Sequence, residues 1–482
     1  MAISDPFNED KFYPTDKIIV MMHKSRLYAL GSYCGFDFTN LATGALLGEK
    51  LICPTCCSSY DIKNGLVDIG PSMRNLSSFN ITRRDEEIKV TVPEHIPAFA
   101  KRKFLGRSKI DPRTFVVLGD SEAALSAMDA LRMSFTGNIV CLPVSQYGQF
   151  ENQDVLKNKF TPLTKNETFL TDLDFLDKAN ITVIKGEVKH INKEKKLISI
   201  KGIKEHIHFD KLLIAWGAFK KRLTKDYSNV FYLEDRYAHA KCHNELIKAE
   251  KIVILGSTMD AFQTASSVRS YLDSIGYNKT EVILMYEGGS EIRQNMGSMV
   301  GKTINKMMRD QNICIIDDIE ITHMVGDYKV EKIHFLKRSD KEVEADAVWT
   351  EKGSTDYFVK PDLIIVEDGI GRPKVDLRPL IGHEEHGNLN NLTFNNEGIP
   401  ISNIRFSLYQ NDIMSPILAA GSCTHYPSFM HKIKVRGDDL KYNIESGFYA
   451  AMNMLDKQVE FRYLPMTPLT IGSKKLYWVG ER

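Results

Sequence analysis

"TFVVLGDSEAALSAMDALRMSFTGNIVCLPV", residues 114–144, is an apolar strand, a tight turn, an amphipathic helix and a second apolar strand. This is a βαβ unit of the parallel, nucleotide-binding kind. The same grammar returns at residues 251–289, "KIVILGSTMDAFQTASSVRSYLDSIGYNKTEVILMYEGG". Two copies about 137 residues apart predict an α/β chain with two Rossmann-like domains. Strand and turn runs between them end in "KLLIAWGAF", and the second copy is followed by "VKPDLIIVEDGIGRP" and "SPILAAGSCTHYPSF". The expected arrangement is a first domain interrupted by the second, with the chain returning to complete the first over residues 358–455.

Upstream, residues 17–95 hold short alternating runs such as "DKIIVMMHK", "RLYALG" and "EIKVTVPEH", broken by Gly, Asn and Pro. They predict a small antiparallel β domain over 1–98, joined by a linker, "PAFAKRKFLGRSKIDP". The first Rossmann-like domain is then expected to begin at 99–245, the second to occupy 246–357, and the segment 456–482 to be too short to form a domain. About three domains suit 482 residues.

With 43% apolar and 26% charged residues the chain has a globular composition. Net charge is +1, from 63 basic and 62 acidic side chains, so the summed field gives no reason to expect nucleic acid or an anionic membrane as partner. No apolar run approaches the roughly 18–20 residues of a membrane span. Asp5, Glu9 and Asp10 near the start argue against a secretory signal or a transit peptide. Without an address, the default expectation is the cytoplasm.

Four of the eight cysteines crowd into residues 34–57, within "SYCGF" (32–36) and "LICPTCCSSYDIKNG" (51–65). That clustering favours a metal site or its remnant in a reducing compartment. Cys34, Cys53, Cys56 and Cys57 are the candidate ligands, with His23 or Asp37 as alternative fourth groups. One reading is an empty, collapsed loop whose cysteines are merely buried, with no cofactor; the other is an occupied site, for which a thiolate set suits zinc or an iron–sulfur cluster.

The order of these parts resembles the two-dinucleotide-fold flavoprotein reductases of the pyridine nucleotide-disulfide oxidoreductase superfamily. Specifically, it resembles the apoptosis-inducing-factor-like branch, which carries a Rieske domain in front. The resemblance covers nearly the whole chain: "LLIAWG" stands where the family writes an Ala-Thr-Gly-like turn, and "AAGS" where it writes Ala-Ala-Gly-Asp. It implies FAD in the first fold, NAD(P) in the second, and a 2Fe–2S cluster at the cysteine loops. It also implies a mitochondrial setting.

At each implied site the residues depart from the family. A Rieske cluster takes two cysteines on one iron and two histidines on the other. Aligned on Cys34 and Cys53, the histidine positions fall on Phe36 and Cys56. The dinucleotide fingerprint GxGxxG reads Gly119, Ser121, Ala124 in the first copy and Gly256, Thr258, Ala261 in the second. Glu287 ends the second copy's second strand, where an acid can accept a ribose hydroxyl. Asp120 and Glu122 set carboxylates where the FAD pyrophosphate would sit. At roughly 5 Å and an effective dielectric near 20, each charge pair costs on the order of 3 kcal/mol. Gly421 and Ser422 occupy the positions of the flavin-binding Gly-Asp, so the carboxylate is gone. No cysteine lies between Cys141 and Cys242, which excludes a disulfide-reductase pair after the first fold. His206, His208 and "HEEHG" at 383–387 read as surface strand and polar loop.

Two readings follow. In the first, the chain is a non-catalytic descendant of a Rieske-fused FAD/NAD(P)H oxidoreductase. It is retained as a structural or accessory subunit among the protein subunits of a larger assembly, a mitochondrial respiratory-chain complex by resemblance. In the second it is a residual oxidoreductase, passing electrons from NAD(P)H through FAD to a cluster on Cys34, Cys53 and Cys56.

Overall fold

The computed structural model describes residues 12–14, 17–84, 87–97, 99–144, 160, 170–171, 174–288, 290–338, 349–350, 356–381, 392–409 and 416–480. The chain packs as two compact bodies. The first comprises Met1–Phe150, Phe169–Gly217 and Asp376–Tyr463; the second comprises Glu151–Thr168, Ala218–Val375 and Leu464–Arg482.

The first body opens with antiparallel β structure. A five-stranded sheet runs in the order Phe12–Pro14, Ile18–His23, Arg26–Gly31, Ser78–Arg84, Glu87–Thr91. A four-stranded sheet joins Ala45–Leu47, Lys50–Ile52, Ser59–Asp61 and Val67–Ile69. Ile19, Met21, Leu30, Leu51 and Tyr60 bury their side chains between them. Both cysteine loops leave strand ends: Cys34 follows Arg26–Gly31, and residues 53–58 connect Lys50–Ile52 to Ser59–Asp61.

The same body holds a five-stranded parallel sheet in the order Ile181–Val183, Asn138–Leu142, Thr114–Leu118, Lys211–Ile214, Ile417–Ala419. Counted along the chain this is the 3-2-1-4-5 order of a doubly wound nucleotide fold. Its four-residue buried runs, such as Phe115–Leu118, are what a strand covered on both faces requires. Helix α1 (Glu122–Arg132) follows the first strand, and its Ala-rich sequence lets it pack closely against a later helix. A Cβ at Gly447 of that helix would stand 2.1 Å from the Ala123 carbonyl oxygen.

In the second body a parallel sheet runs in the order Ile313–Val325, Glu281–Glu287, Lys251–Leu255, Leu363–Val366, Val230–Phe231, which counted along the chain is 4-3-2-5-1 because its outer strand Val230–Phe231 comes first. Antiparallel strands including Lys332–Lys337 and Tyr357–Val359 extend it. Helix α2 (Met259–Ser274) follows the central strand.

The domain boundaries differ from the expected ones in three places. The second fold begins at Ala218 rather than at 246, because Val230–Phe231 pairs with Leu363–Val366. For the same reason "VKPDLIIVEDGIGRP" belongs to the second sheet, and the chain returns to the first body at Asp376 rather than at 358. The C-terminal segment does not stand apart from the two folds. Met466–Ile471 and Lys474–Val479 form a hairpin that docks on α2, with Thr470 N–H donating to Gln263 Oε1 at 2.6 Å and Gly472 N–H to Ser266 Oγ at 3.0 Å. Leu469 and Ile471 are buried there.

Candidate functional site

In an open α/β sheet the ligand crevice lies at the carboxyl ends of the strands, where strand order reverses. For the first fold that point lies between Thr114–Leu118 and Lys211–Ile214, flanked by the Gly119 turn and by residues 215–217. Gly119 (φ +125°) is forced by the close approach: a Cβ would lie 2.2 Å from the Ala215 carbonyl oxygen. Ser121 caps α1, accepting from Ala124 N–H at 3.3 Å, while its hydroxyl donates across the switch point to Ala215 O at 2.6 Å.

The second fold repeats this arrangement atom for atom. Gly256 (φ +148°) faces the Glu367 carbonyl oxygen, 2.1 Å from where its Cβ would stand. Thr258 caps α2 by accepting from Ala261 N–H at 3.3 Å and donates to Glu367 O at 2.7 Å. In both folds a hydroxyl at the second fingerprint position ties the helix start to the opposing strand end. Ala124 and Ala261, at the third position, are fully buried under their helices.

Carboxylates surround both helix starts. Asp120 is buried, and Glu122 in the first turn of α1 accepts from Asn443 Nδ2 at 3.4 Å. At α2 the buried Glu367 carboxylate and Asp260 share Lys220, at 3.4 and 3.6 Å. A helix N-terminus attracts anions through its free N–H groups and dipole. Here acidic side chains already supply that negative charge.

The remaining fingerprint residues have structural partners. Gly421 (φ +78°) donates its N–H to Ser446 Oγ at 3.0 Å, and the buried Ser422 accepts at its carbonyl from Arg436 Nε at 2.6 Å. Glu287 is exposed, with Oε1 accepting from Ile321 N–H at 2.8 Å. The expected NAD(P) acid is therefore bound to its neighbouring strand. The residues of the two crevices do not fit a dinucleotide pyrophosphate as a GxGxxG turn does.

The cysteine loops form a separate site. Cys34, Asp37, Cys53 and Cys56 bring one ligand atom each to within 4.8 Å of one another. Cys34 Sγ lies 3.5 Å from Cys56 Sγ, and Cys53 Sγ lies 3.9 Å from Asp37 Oδ1. The three sulfurs are buried. Burial pushes the Cys34 thiol up to about 11 and Cys56 well above its ordinary range. Hydrogen bonds from Cys34 and Cys56 pull the Cys53 thiol below its ordinary range. Burial raises Asp37 to about 6.

Of the cysteines expected as ligands, Cys57 stands outside the group, because its backbone turns left-handed (φ +58°) and its half-buried side chain leaves the cluster. Asp37 takes the fourth place, and His23 does not join it. Phe36, at one Rieske histidine position, is buried in the core. His206 pairs with Ser199 at 3.1 Å, outside the cluster, and "HEEHG" lies outside the described residues.

Two nucleotide-type folds, each with its crevice where the order of the parallel strands reverses and preceded by a β domain, define the class of two-dinucleotide-fold reductases. The comparison with protein families makes this specific: the chain belongs to the pyridine nucleotide-disulphide oxidoreductase family, whose model matches residues 113–357. Human apoptosis-inducing factor 3 is 21% identical over 477 residues, covering 96% of this chain and 72% of the human protein. Among solved structures, the covalent putidaredoxin reductase–putidaredoxin complex superposes with a TM-score of 0.62 at 18% identity, covering 77% of this chain and 82% of that one. A ferredoxin reductase of the CYP199A2 system from Rhodopseudomonas palustris gives 0.61 at 14%, covering 76% and 81%. The oxidoreductase scaffold with antiparallel β structure in front is thus shown. Among the described residues, no helix is long and apolar enough to cross a membrane.

Proposed function

We propose that this chain is a catalytically silent member of its oxidoreductase family, serving as a structural or accessory subunit of a larger protein assembly. One observation carries the reading. The hydroxyls of Ser121 and Thr258 bridge both switch points, from inside capped helices that already carry carboxylates. A pyrophosphate would have to displace a made hydrogen bond and approach a negative charge in each fold. Both folds show the same change, which favours a chain kept for its shape. The family resemblance suggests a mitochondrial setting, with a respiratory-chain complex as the assembly.

The alternative, a residual FAD-dependent NAD(P)H oxidoreductase, draws on two buried polar atoms near the first crevice. Trp216 Nε1 and Asn443 Oδ1 have no hydrogen-bond partner among the described residues. FAD and NAD(P)H would supply hydride transfer in such an enzyme. The two readings separate on the chain purified from its own cells under native conditions. A silent subunit co-migrates with other proteins and releases no flavin on acid denaturation. One flavin per chain, reduced by NADH or NADPH, would establish the oxidoreductase instead.

A further inference from the structure

The two cysteine loops are copies of one turn. Cys34 N–H donates to Thr39 O at 2.9 Å, and Cys53 N–H to Ser58 O at 2.9 Å. Phe38 N–H donates to Cys34 O at 3.1 Å, and Cys57 N–H to Cys53 O at 3.1 Å. The residue that closes each turn is left-handed, Phe38 and Cys57 both at φ +58°. In each loop the amide two residues after the first cysteine points at its sulfur: Phe36 N–H to Cys34 Sγ at 3.4 Å, Thr55 N–H to Cys53 Sγ at 3.5 Å. Thr39 and Thr55 join the loops through their hydroxyls at 3.0 Å.

These are paired metal-binding turns, Cys34-x-x-Asp37 and Cys53-x-x-Cys56, each offering ligands at i and i+3. Gly35 lets the first approach its neighbours, since a Cβ there would lie 2.6 Å from Ser72 Oγ. Amide N–H groups aimed at a cysteine sulfur stabilise the thiolate, the form that ligates. The buried Arg74 donates to Gly35 O at 3.4 Å and places a positive charge beside the site.

The spacing selects the occupant. Two ligands at roughly 2.3 Å from a tetrahedral centre stand about 3.8 Å apart. The 3.5 Å between Cys34 and Cys56 lies within about 0.3 Å of that edge, and the 3.9 Å between Cys53 and Asp37 within about 0.3 Å of the roughly 3.6 Å expected for a sulfur and an oxygen ligand. A 2Fe–2S cluster holds its ligands in two pairs on two irons, with the bridging sulfides between them. Four ligand atoms all within 4.8 Å of one another suit a single ion. Three sulfurs and a carboxylate oxygen are four donors that zinc accepts, and four protein ligands is the count of a structural rather than a catalytic zinc site.

We propose that Cys34, Asp37, Cys53 and Cys56 hold one zinc ion, which pins the two loops of the N-terminal β domain together. The proposal is independent of what the nucleotide folds bind. It predicts one zinc per chain in the full-length protein. After removal with a chelator, zinc alone restores that stoichiometry, and cobalt(II) gives a tetrahedral spectrum with thiolate charge transfer. Cys57→Ser leaves stoichiometry and spectrum unchanged. Asp37→Asn, nearly isosteric, weakens zinc binding roughly tenfold or more. Asp37→Cys keeps one metal and raises the cobalt charge-transfer intensity by about a third, as a fourth thiolate joins three. Two irons with labile sulfide, a single iron, or a folded chain that neither carries nor takes up zinc would each overturn it. So would zinc binding that survives Asp37→Asn undiminished but is lost in Cys57→Ser.

Discussion

Gly119 and Gly256 are the residues on which the two folds turn. Each holds a backbone conformation that side chains rarely adopt, and each sits against a carbonyl oxygen just beyond the facing strand. Gly119→Ala and Gly256→Ala should each destabilise the chain by on the order of 2–4 kcal/mol in urea titrations. Gly106→Ala, exposed with no atom within 4 Å of its added Cβ, should be near neutral. Ser121→Ala removes a cap and leaves a carbonyl without its donor, costing about 1–2 kcal/mol. The glycine turns were legible from the sequence because each follows an apolar strand. The hydroxyl bridge was not, since it needs Ala215 and Glu367 brought across from a distant strand. In the cysteine loops the sequence singled out sulfur and so favoured Cys57 over Asp37. The cue was the shared spacing of "CGFDFT" and "CPTCCS", in which Asp37 aligns with Cys56 and Phe38 with Cys57.

At the scale of elements, helix α3 (Leu440–Met454) and the C-terminal hairpin carry consequences that their sequences only partly announced. Glu445 lies in α3, and burial raises its carboxyl to about 7 from an ordinary 4.5, although Lys441 sits 3.8 Å away. Because the folded-state value is raised, the folded chain keeps its proton over a range where the unfolded chain has lost it. Its stabilising effect is complete below about pH 4.5 and is lost as pH rises through about 7. Glu445→Gln should therefore gain on the wild type by about 2–3 kcal/mol between pH 4.5 and pH 8, read as urea midpoints. In the hairpin, Leu469→Ala should cost about 2–3 kcal/mol, because Leu469 is buried in the core of the second fold. "MTPLTIGSKKLYWV" carries the alternation and the two-residue Gly-Ser turn of a hairpin. Its place on α2 depends on Gln263 and Ser266, residues that no local pattern marks as a docking face.

The whole molecule is two bodies threaded by one chain that crosses between them repeatedly, and each body has its own sheet and buried core. The duplicated βαβ grammar announced two folds, but the strand that moves the boundary to 218 is two residues long and carries no periodicity to read. This partition makes the effects of perturbation separable. Gly119, Glu445 and the four proposed zinc ligands belong to the first body, and Gly256 and Leu469 to the second. Stripping zinc with a chelator should loosen the loops that hold Cys34 and Cys53, since three buried thiols and a carboxylate lose the ion that orders them. The strands around Gly256, over residues 251–287, have no ligand in that set. Hydrogen-exchange mass spectrometry should then show protection lost over residues 30–62 on chelation and restored by zinc, with exchange over 251–287 unchanged. Gly256→Ala should give the converse, faster exchange over 251–287 with the cysteine loops still protected. Equal loss in both regions on chelation would mean that the two cores unfold as one cooperative unit.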